Sequence, residues 1–205
     1  EKRNTFVDYK GKLRLHNNTF IIDLDSKPDD GKAALADTLK LSQKLAEEKI
    51  THDIFFSGSK GFHIAIPQGY FGFEDRAYEK DEIEQIVKNI LQNMKLQFAS
   101  IDPGIWNANR KFRAYRSRHE KTGLYKCYVS KGDVELASSS MEDIRKYASN
   151  QPAKSFEPFF GEFRPHPWLV AFKEERPLSK NPKASSTGTK ELPQGTFLDD
   201  DAATF

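Results

Sequence analysis

Two aspartates spaced two residues apart, Asp23 and Asp25, close the run Phe20-Ile21-Ile22-Asp23-Leu24-Asp25. The β-branched and aromatic residues of that run read as a strand, and on a strand positions i and i+2 project from one face. Carboxylates held side by side repel unless a cation lies between them. A hard divalent ion such as Mg²⁺ suits that all-oxygen pair; the plainer reading is a strand end whose aspartates face water. Residues 57–63, S-G-S-K-G-F-H, bring a second chemistry. They join the apolar runs Ile54-Phe55-Phe56 and Ile64-Ala65-Ile66, as a hairpin would. The turn offers backbone N–H groups, the hydroxyls of Ser57 and Ser59, the Lys60 ammonium and the His63 imidazole, a set that suits phosphate oxygens. Alternation puts Phe62 and Ile64 on one face and His63 and Ala65 on the other. His63 therefore need not lie in the apolar layer. Asp102 follows the strand-like Leu96–Ile101 and precedes Pro103-Gly104. Alone it is a common turn residue; with Asp23 and Asp25 it would complete a two-metal site.

Residues 107–131 are basic, with Arg110, Lys111, Arg113, Arg116, Arg118, Lys121, Lys126 and Lys131 against Glu120. Trp106, Phe112, Tyr115, Tyr125 and Tyr128 are interleaved. Cations among aromatics fit a nucleic-acid or nucleotide surface, through phosphate neutralisation and base stacking. They fit equally an edge strand guarded by Lys and Arg.

The elements that must position these groups follow from periodicity. Ala34, Leu35, Leu39, Leu41 and Leu45 predict an amphipathic helix over 32–49. Ile83, Ile86, Val87, Ile90, Leu91 and Met94 predict another over 81–96. Residues 53–57 and 62–67 form the hairpin arms, and 95–102 and 113–128 read as extended. Turns are expected at Asp102-Pro103-Gly104 and Lys121-Thr122-Gly123. Ser140-Met141-Glu142-Asp143 is a capping-box-like start for a helix to about Ser149, and residues 165–176 hold a fourth, short one. Strands and helices intermix without a strict βαβ rhythm, so the class is α+β. From Pro177 the composition turns to Ser, Thr, Gly, Pro and Lys, closing on Asp199-Asp200-Asp201. That predicts a catalytic domain over 1–176 and a flexible linker or tail over 177–205 leading to a further module.

The chain has 205 residues, 30% charged and 12% aromatic, with a net charge of +2. That length supports one domain or two small ones. The single Cys127 excludes a disulfide framework and any Cys-based zinc or iron–sulfur site. No apolar run reaches membrane-spanning length and Glu-Lys-Arg-Asn is not a signal peptide. The expectation is a soluble cytoplasmic protein with no membrane partner, and, because the chain starts without Met, a piece of a longer one.

Taken in order, the motifs resemble those of the archaeo-eukaryotic primase superfamily, the primase-polymerases. F-I-I-D-L-D-S resembles its first motif, a hydrophobic run into Asp-x-Asp, and S-G-S-K-G-F-H-I its Ser- and His-bearing hairpin. A-S-I-D resembles the third, a hydrophobic run into an acid. R-A-Y-R-S-R-H-E-K-T-G is similar to the family's R-x-P-G-S-L-H-x-K-T-G, keeping Arg113, Ser117, His119, Lys121, Thr122 and Gly123 in register. Tyr115, Arg116 and Arg118 stand where Pro, Gly and Leu are usual.

The resemblance, over roughly 20–126, implies an RRM-like antiparallel catalytic sheet joined to a second α/β lobe. It implies that Asp23, Asp25 and Asp102 are catalytic and bind two divalent ions, Mg²⁺ or Mn²⁺. Ser57, Ser59, Lys60 and His63 would bind the triphosphate of an NTP or dNTP, with Arg113, Ser117, His119 and Lys121 adding to that site. The activity implied is template-dependent nucleotidyl transfer that makes or extends primers, as DNA primase and DNA polymerase. Its partners would be single-stranded or primed DNA and a fused or associated helicase, in a prokaryote, phage or plasmid setting. The alternatives are an end-joining repair polymerase that cannot start chains, and a non-catalytic nucleic-acid-binding module.

Overall fold

The computed structural model describes residues 5–7, 12–15, 19–25, 30–74, 76–105, 112–129, 139–150, 159 and 161–174. The strands are β1 (Thr5–Val7), β2 (Lys12–Leu15), β3 (Thr19–Leu24), β4 (Asp53–Phe56), β5 (Phe62–Pro67), β6 (Tyr78–Glu79) and β7 (Cys127–Tyr128). The helices are α1 (Lys32–Glu47), α2 (Lys80–Lys95), α3 (Met141–Ala148) and α4 (Pro167–Glu174). The fold is α+β, as expected. The tail from 177, and Trp106, Arg110, Lys111 and Lys131, lie outside the described residues.

The main sheet is antiparallel, in the order β3-β5-β4-β7. On the far side of β3, Ile101 bridges Leu24 in antiparallel sense, and that edge is tied by Asp25 N–H to Ser100 O (2.9 Å) and Asp102 N–H to Asp23 O (3.0 Å). The chain order β3-α1-β4-β5-α2 followed by the Ile101 segment thus gives the spatial order 101-β3-β5-β4. This is the RRM-like arrangement, with β7 added on the β4 edge. A second, three-stranded antiparallel sheet runs β1-β2-β6.

Alternation decides which face of the main sheet is apolar. Phe20, Ile22 and Leu24 of β3 are buried while Ile21, Asp23 and Asp25 are half-exposed. Ile54, Phe56, Phe62, Ile64 and Ile66 join the same core, with Ala34, Leu41 and Leu45 of α1 and Ile83, Val87, Ile90 and Leu91 of α2. Each such side chain, fully buried, contributes about 1.5–3 kcal/mol against exposure. The opposite face carries Asp23 and His63 beside Ile21, Phe55 and Ala65. α2 starts on a reciprocal capping box between Glu79 and Glu82, and α3 on one between Ser140 and Asp143, the latter as the sequence predicts. Asn93 Nδ2 donates to Phe172 O (2.9 Å) and ties α2 to α4. No helix among the described residues is long and apolar enough to cross a membrane.

Two expectations need correction. Residues 95–102 are not a strand: α2 unwinds through Leu96 N–H to Asn93 O and Phe98 N–H to Met94 O, and only Ile101 bridges. Lys95 Nζ donating to Ile101 O (2.7 Å) and Asp37 Oδ2 accepting from Ser100 N (2.8 Å) hold the connection folded. Residues 113–128 are mostly loop, because turns at 114–117 and 119–123 interrupt them. Within them only the Arg118–Tyr125 bridge and β7 are extended pairs. The short β1, β2 and β6 carry no alternation long enough to announce them in the sequence.

Candidate active site

On the polar face of the main sheet, Asp23, His63, Phe55 and Tyr128 stand opposite one another in a row across four strands. The register makes Asp23 and His63 direct cross-strand neighbours, and His63 Nε2 lies 3.5 Å from Asp23 Oδ1. His63 is 8% exposed but is outside the apolar layer, as alternation requires. Asp25, two residues on, points the same way. Its Oδ1 is buried and accepts no hydrogen bond among the described residues; Lys60 Nζ stands 3.9 Å from it. A buried carboxylate oxygen left in this state is costly, and a bound cation would remove the cost. The Asp23–Asp25 face therefore fits a divalent ion.

Asp102 is placed differently. Its main chain is bonded to Asp23, but its Oδ1 accepts from Gly104 N (2.9 Å) in an Asp-Pro-Gly turn, and it does not line the cleft described below. Among the described residues no three His, Cys, Asp or Glu side chains gather around one metal position. The structure thus assembles two of the three expected carboxylates.

The hairpin between β4 and β5 closes by Ser57 N–H to Gly61 O (2.9 Å) and Gly61 N–H to Ser57 Oγ (3.3 Å). Gly58 has φ +88°, a region open to glycine at no steric cost. At Gly61 the reason for glycine is contact: a Cβ would stand 2.6 Å from Leu24 O of the neighbouring strand. The hairpin is gripped by the loop that carries the basic stretch. Arg113 Nη1 donates to Ser57 O (2.6 Å) and Thr122 Oγ1 donates to Gly58 O.

That loop also settles the state of His119. Its Nδ1 accepts from the N–H groups of Lys121 (3.1 Å) and Thr122 (3.4 Å), so the ring is neutral and carries its proton on Nε2. Burial first, then the charges of Arg113 and Lys121, hold its pKa below the usual histidine value, with Glu120 acting the other way. Arg116, where the resembling family has glycine, adopts φ +63° and donates its N–H to Lys126 O (2.9 Å). The turn is kept although the residue is not glycine. Ser117 Oγ donates to Ala114 O (2.6 Å), a bond within the turn.

An open cleft of about 300 Å³ brings these parts together. Asp23, Asp25, Ser57, Ser59, Lys60, Gly61, His63, Phe112, Arg113 and His119 line it. Eight of the eleven site residues expected from sequence are there; Asp102, Ser117 and Lys121 are not. Phe112, named from the sequence among the interleaved aromatics but not as a site residue, also lines it. Its phenyl ring meets the His63 ring edge-on at 5.6 Å. In the basic stretch Arg116, Arg118 and Lys121 are exposed and Arg113 is half-buried, while one cation is drawn into the protein. Lys126 is 6% exposed, donates to Arg113 O (3.0 Å) and lies over the Phe55 ring. Arg118 Nε donates to Gly123 O (3.0 Å).

No protein-family model and no curated protein sequence matches the chain. Among solved structures it is similar to the polymerase domain from Mycobacterium tuberculosis Ligase D in complex with DNA, with a TM-score of 0.40 and 15% identity. That likeness covers 60% of this chain and 48% of the other, so the chain spans about half the length of that structure. At this score the likeness carries no weight for function, which has to rest on the cleft's own residues.

Proposed function

We propose that the chain is a primase-polymerase catalytic domain that transfers nucleotides onto a growing strand on a DNA template. One observation carries the reading: three segments far apart in sequence, 23–25, 57–63 and 112–119, converge on one cleft that gathers two carboxylates with lysine, arginine, histidine and serine side chains. Phosphoryl transfer asks a protein for positioning and charge neutralisation more than for a covalent nucleophile, and this lining holds no activated nucleophile. Asp23 and Asp25 would hold Mg²⁺ or Mn²⁺, and Asp102 could join them only by releasing Gly104 N–H. When bound, such ions lower the pKa of an attacking 3′-hydroxyl and offset charge on the leaving pyrophosphate.

The rest of the work falls to the chain itself. Lys60 and Arg113 neutralise the β- and γ-phosphates of an NTP or dNTP. The neutral His119 donates its Nε2 proton to a phosphate oxygen. His63, braced by Asp23 and Phe112, orients the triphosphate against the acid pair. Ser57 and Ser59 supply hydroxyl donors.

The test is nucleotide incorporation on unprimed and primed single-stranded templates, with NTPs or dNTPs and Mg²⁺ or Mn²⁺. Products on unprimed template establish priming; products on primed template alone assign a repair-type polymerase. Incorporation that survives Asp23→Asn with Asp25→Asn overturns the reading.

A further inference from the structure

Two consecutive carbonyls of the hairpin, Ser57 O and Gly58 O, are both taken by the 113–124 loop, the first by Arg113 Nη1 and the second by Thr122 Oγ1. A trans peptide is planar and points its N–H opposite to its C=O. Fixing Ser57 O and Gly58 O therefore fixes the directions of the Gly58 and Ser59 N–H groups, away from those two donors. Among the described residues no hydrogen bond takes up either N–H. Gly58 is left-handed at φ +88°, and successive N–H groups around such a residue form an anion-binding concavity. Thr122 is held in turn: its hydroxyl accepts from Leu124 N (3.3 Å), and its N–H is one of the two that His119 Nδ1 accepts. The same threonine thus sets the plane of the Gly58–Ser59 peptide, while Arg113 sets that of Ser57–Gly58, and it supports the imidazole facing the cleft.

We propose that Thr122, which does not itself line the cleft, is a positioning residue that, by holding Gly58 O, aims the Ser59 N–H group at a polyphosphate. This rests on the nucleotide reading of the cleft, and it deepens that reading by assigning polyphosphate recognition to oriented main-chain donors as well as to Lys60 and Arg113. Valine keeps the shape of threonine and loses the donor; serine keeps the donor and loses a methyl group.

The experiment measures inorganic tripolyphosphate binding by calorimetry, for the unmodified chain, Thr122→Val and Thr122→Ser, beside thermal melts and nucleotide kinetics. The expected result is Kd about tenfold weaker for Thr122→Val and within about twofold for Thr122→Ser. KM for the nucleotide should rise in parallel while kcat holds. Equal affinity of Thr122→Val and the unmodified chain overturns the proposal, and so does Thr122→Ser as weak as Thr122→Val. Tripolyphosphate binding with the expected pattern but no incorporation by the unmodified chain supports the positioning role and overturns the polymerase reading. No tripolyphosphate binding by the unmodified chain overturns both.

Discussion

The two walls of the cleft are built on opposite principles. The proposed phosphate wall, the 57–63 hairpin and the 113–124 loop, closes on itself. Ser57 O, Gly58 O, the His119 ring and the Ser117 hydroxyl have partners within the protein. The acid wall does not close. Asp25 Oδ1 is buried without a hydrogen bond among the described residues, and Asp102 is turned to Gly104 N–H instead of the cleft. Donors and acceptors can satisfy each other without a ligand, whereas like charges can be gathered only around a cation. One wall is therefore preorganised by the chain, and the other, on the function proposed above, would be completed by an ion.

Four measurements break or sharpen that contrast. The largest effect is expected on the acid wall. Asp23→Asn with Asp25→Asn should cut incorporation by about 10³-fold or more. It should also abolish the rise in Tm that Mg²⁺ gives the unmodified chain through binding the native state. A double variant still stabilised by Mg²⁺ would show that the ion binds elsewhere. Next, His63→Ala removes the residue that joins the two walls. KM for the nucleotide should rise about tenfold, with template affinity within about twofold; equal losses in both would mean that His63 holds the sheet and not the ligand.

The third and fourth tests probe the phosphate wall alone. Arg116→Gly relieves a left-handed residue at a cost of about 1 kcal/mol, partly offset by the freedom glycine adds to the unfolded chain. Tm should rise by about 2 °C with activity kept. A fall in Tm would show that the Arg116 side chain contributes more than its backbone strain costs.

The smallest effect is on pH dependence. The folded His119 binds a proton less readily than the unfolded chain does, so its contribution to stability is complete above the unfolded value near 6.5. It is lost as pH falls from there through the lower folded value. His119→Asn, whose Oδ1 can accept the same two N–H groups at any pH, should flatten stability across that window, measured as Tm between about pH 7 and pH 5. An unchanged slope would exclude His119 as the titrating group.

Much of the site was legible because it depends on short-range alternation. That Asp23 and Asp25 share a face, and that His63 lies opposite Phe62 and Ile64, follows from the two-residue period of a strand. Helices α1 and α2 follow from apolar spacing, and α3 from its Ser140–Asp143 capping box. The basic stretch was legible only in part. Composition counts charges, but it does not say that Lys126 is buried against Arg113 O while Arg116, Arg118 and Lys121 stay exposed. Ser117 and Lys121 carry motif positions, yet neither lines the cleft.

By itself, then, the sequence determined the α+β class, the strand faces that carry the acids and the hairpin's polar side. Each of these is settled by residues within a few positions of one another. Only the tertiary structure decided that Arg113 reaches Ser57 across 56 residues and Thr122 reaches Gly58 across 64. It also decided that Phe112 meets His63 and that Asp102, bonded to Asp23 through the main chain, turns its carboxylate to Gly104 N–H and not to the cleft. Such contacts depend on how separate elements pack, and no local period encodes the distance between them.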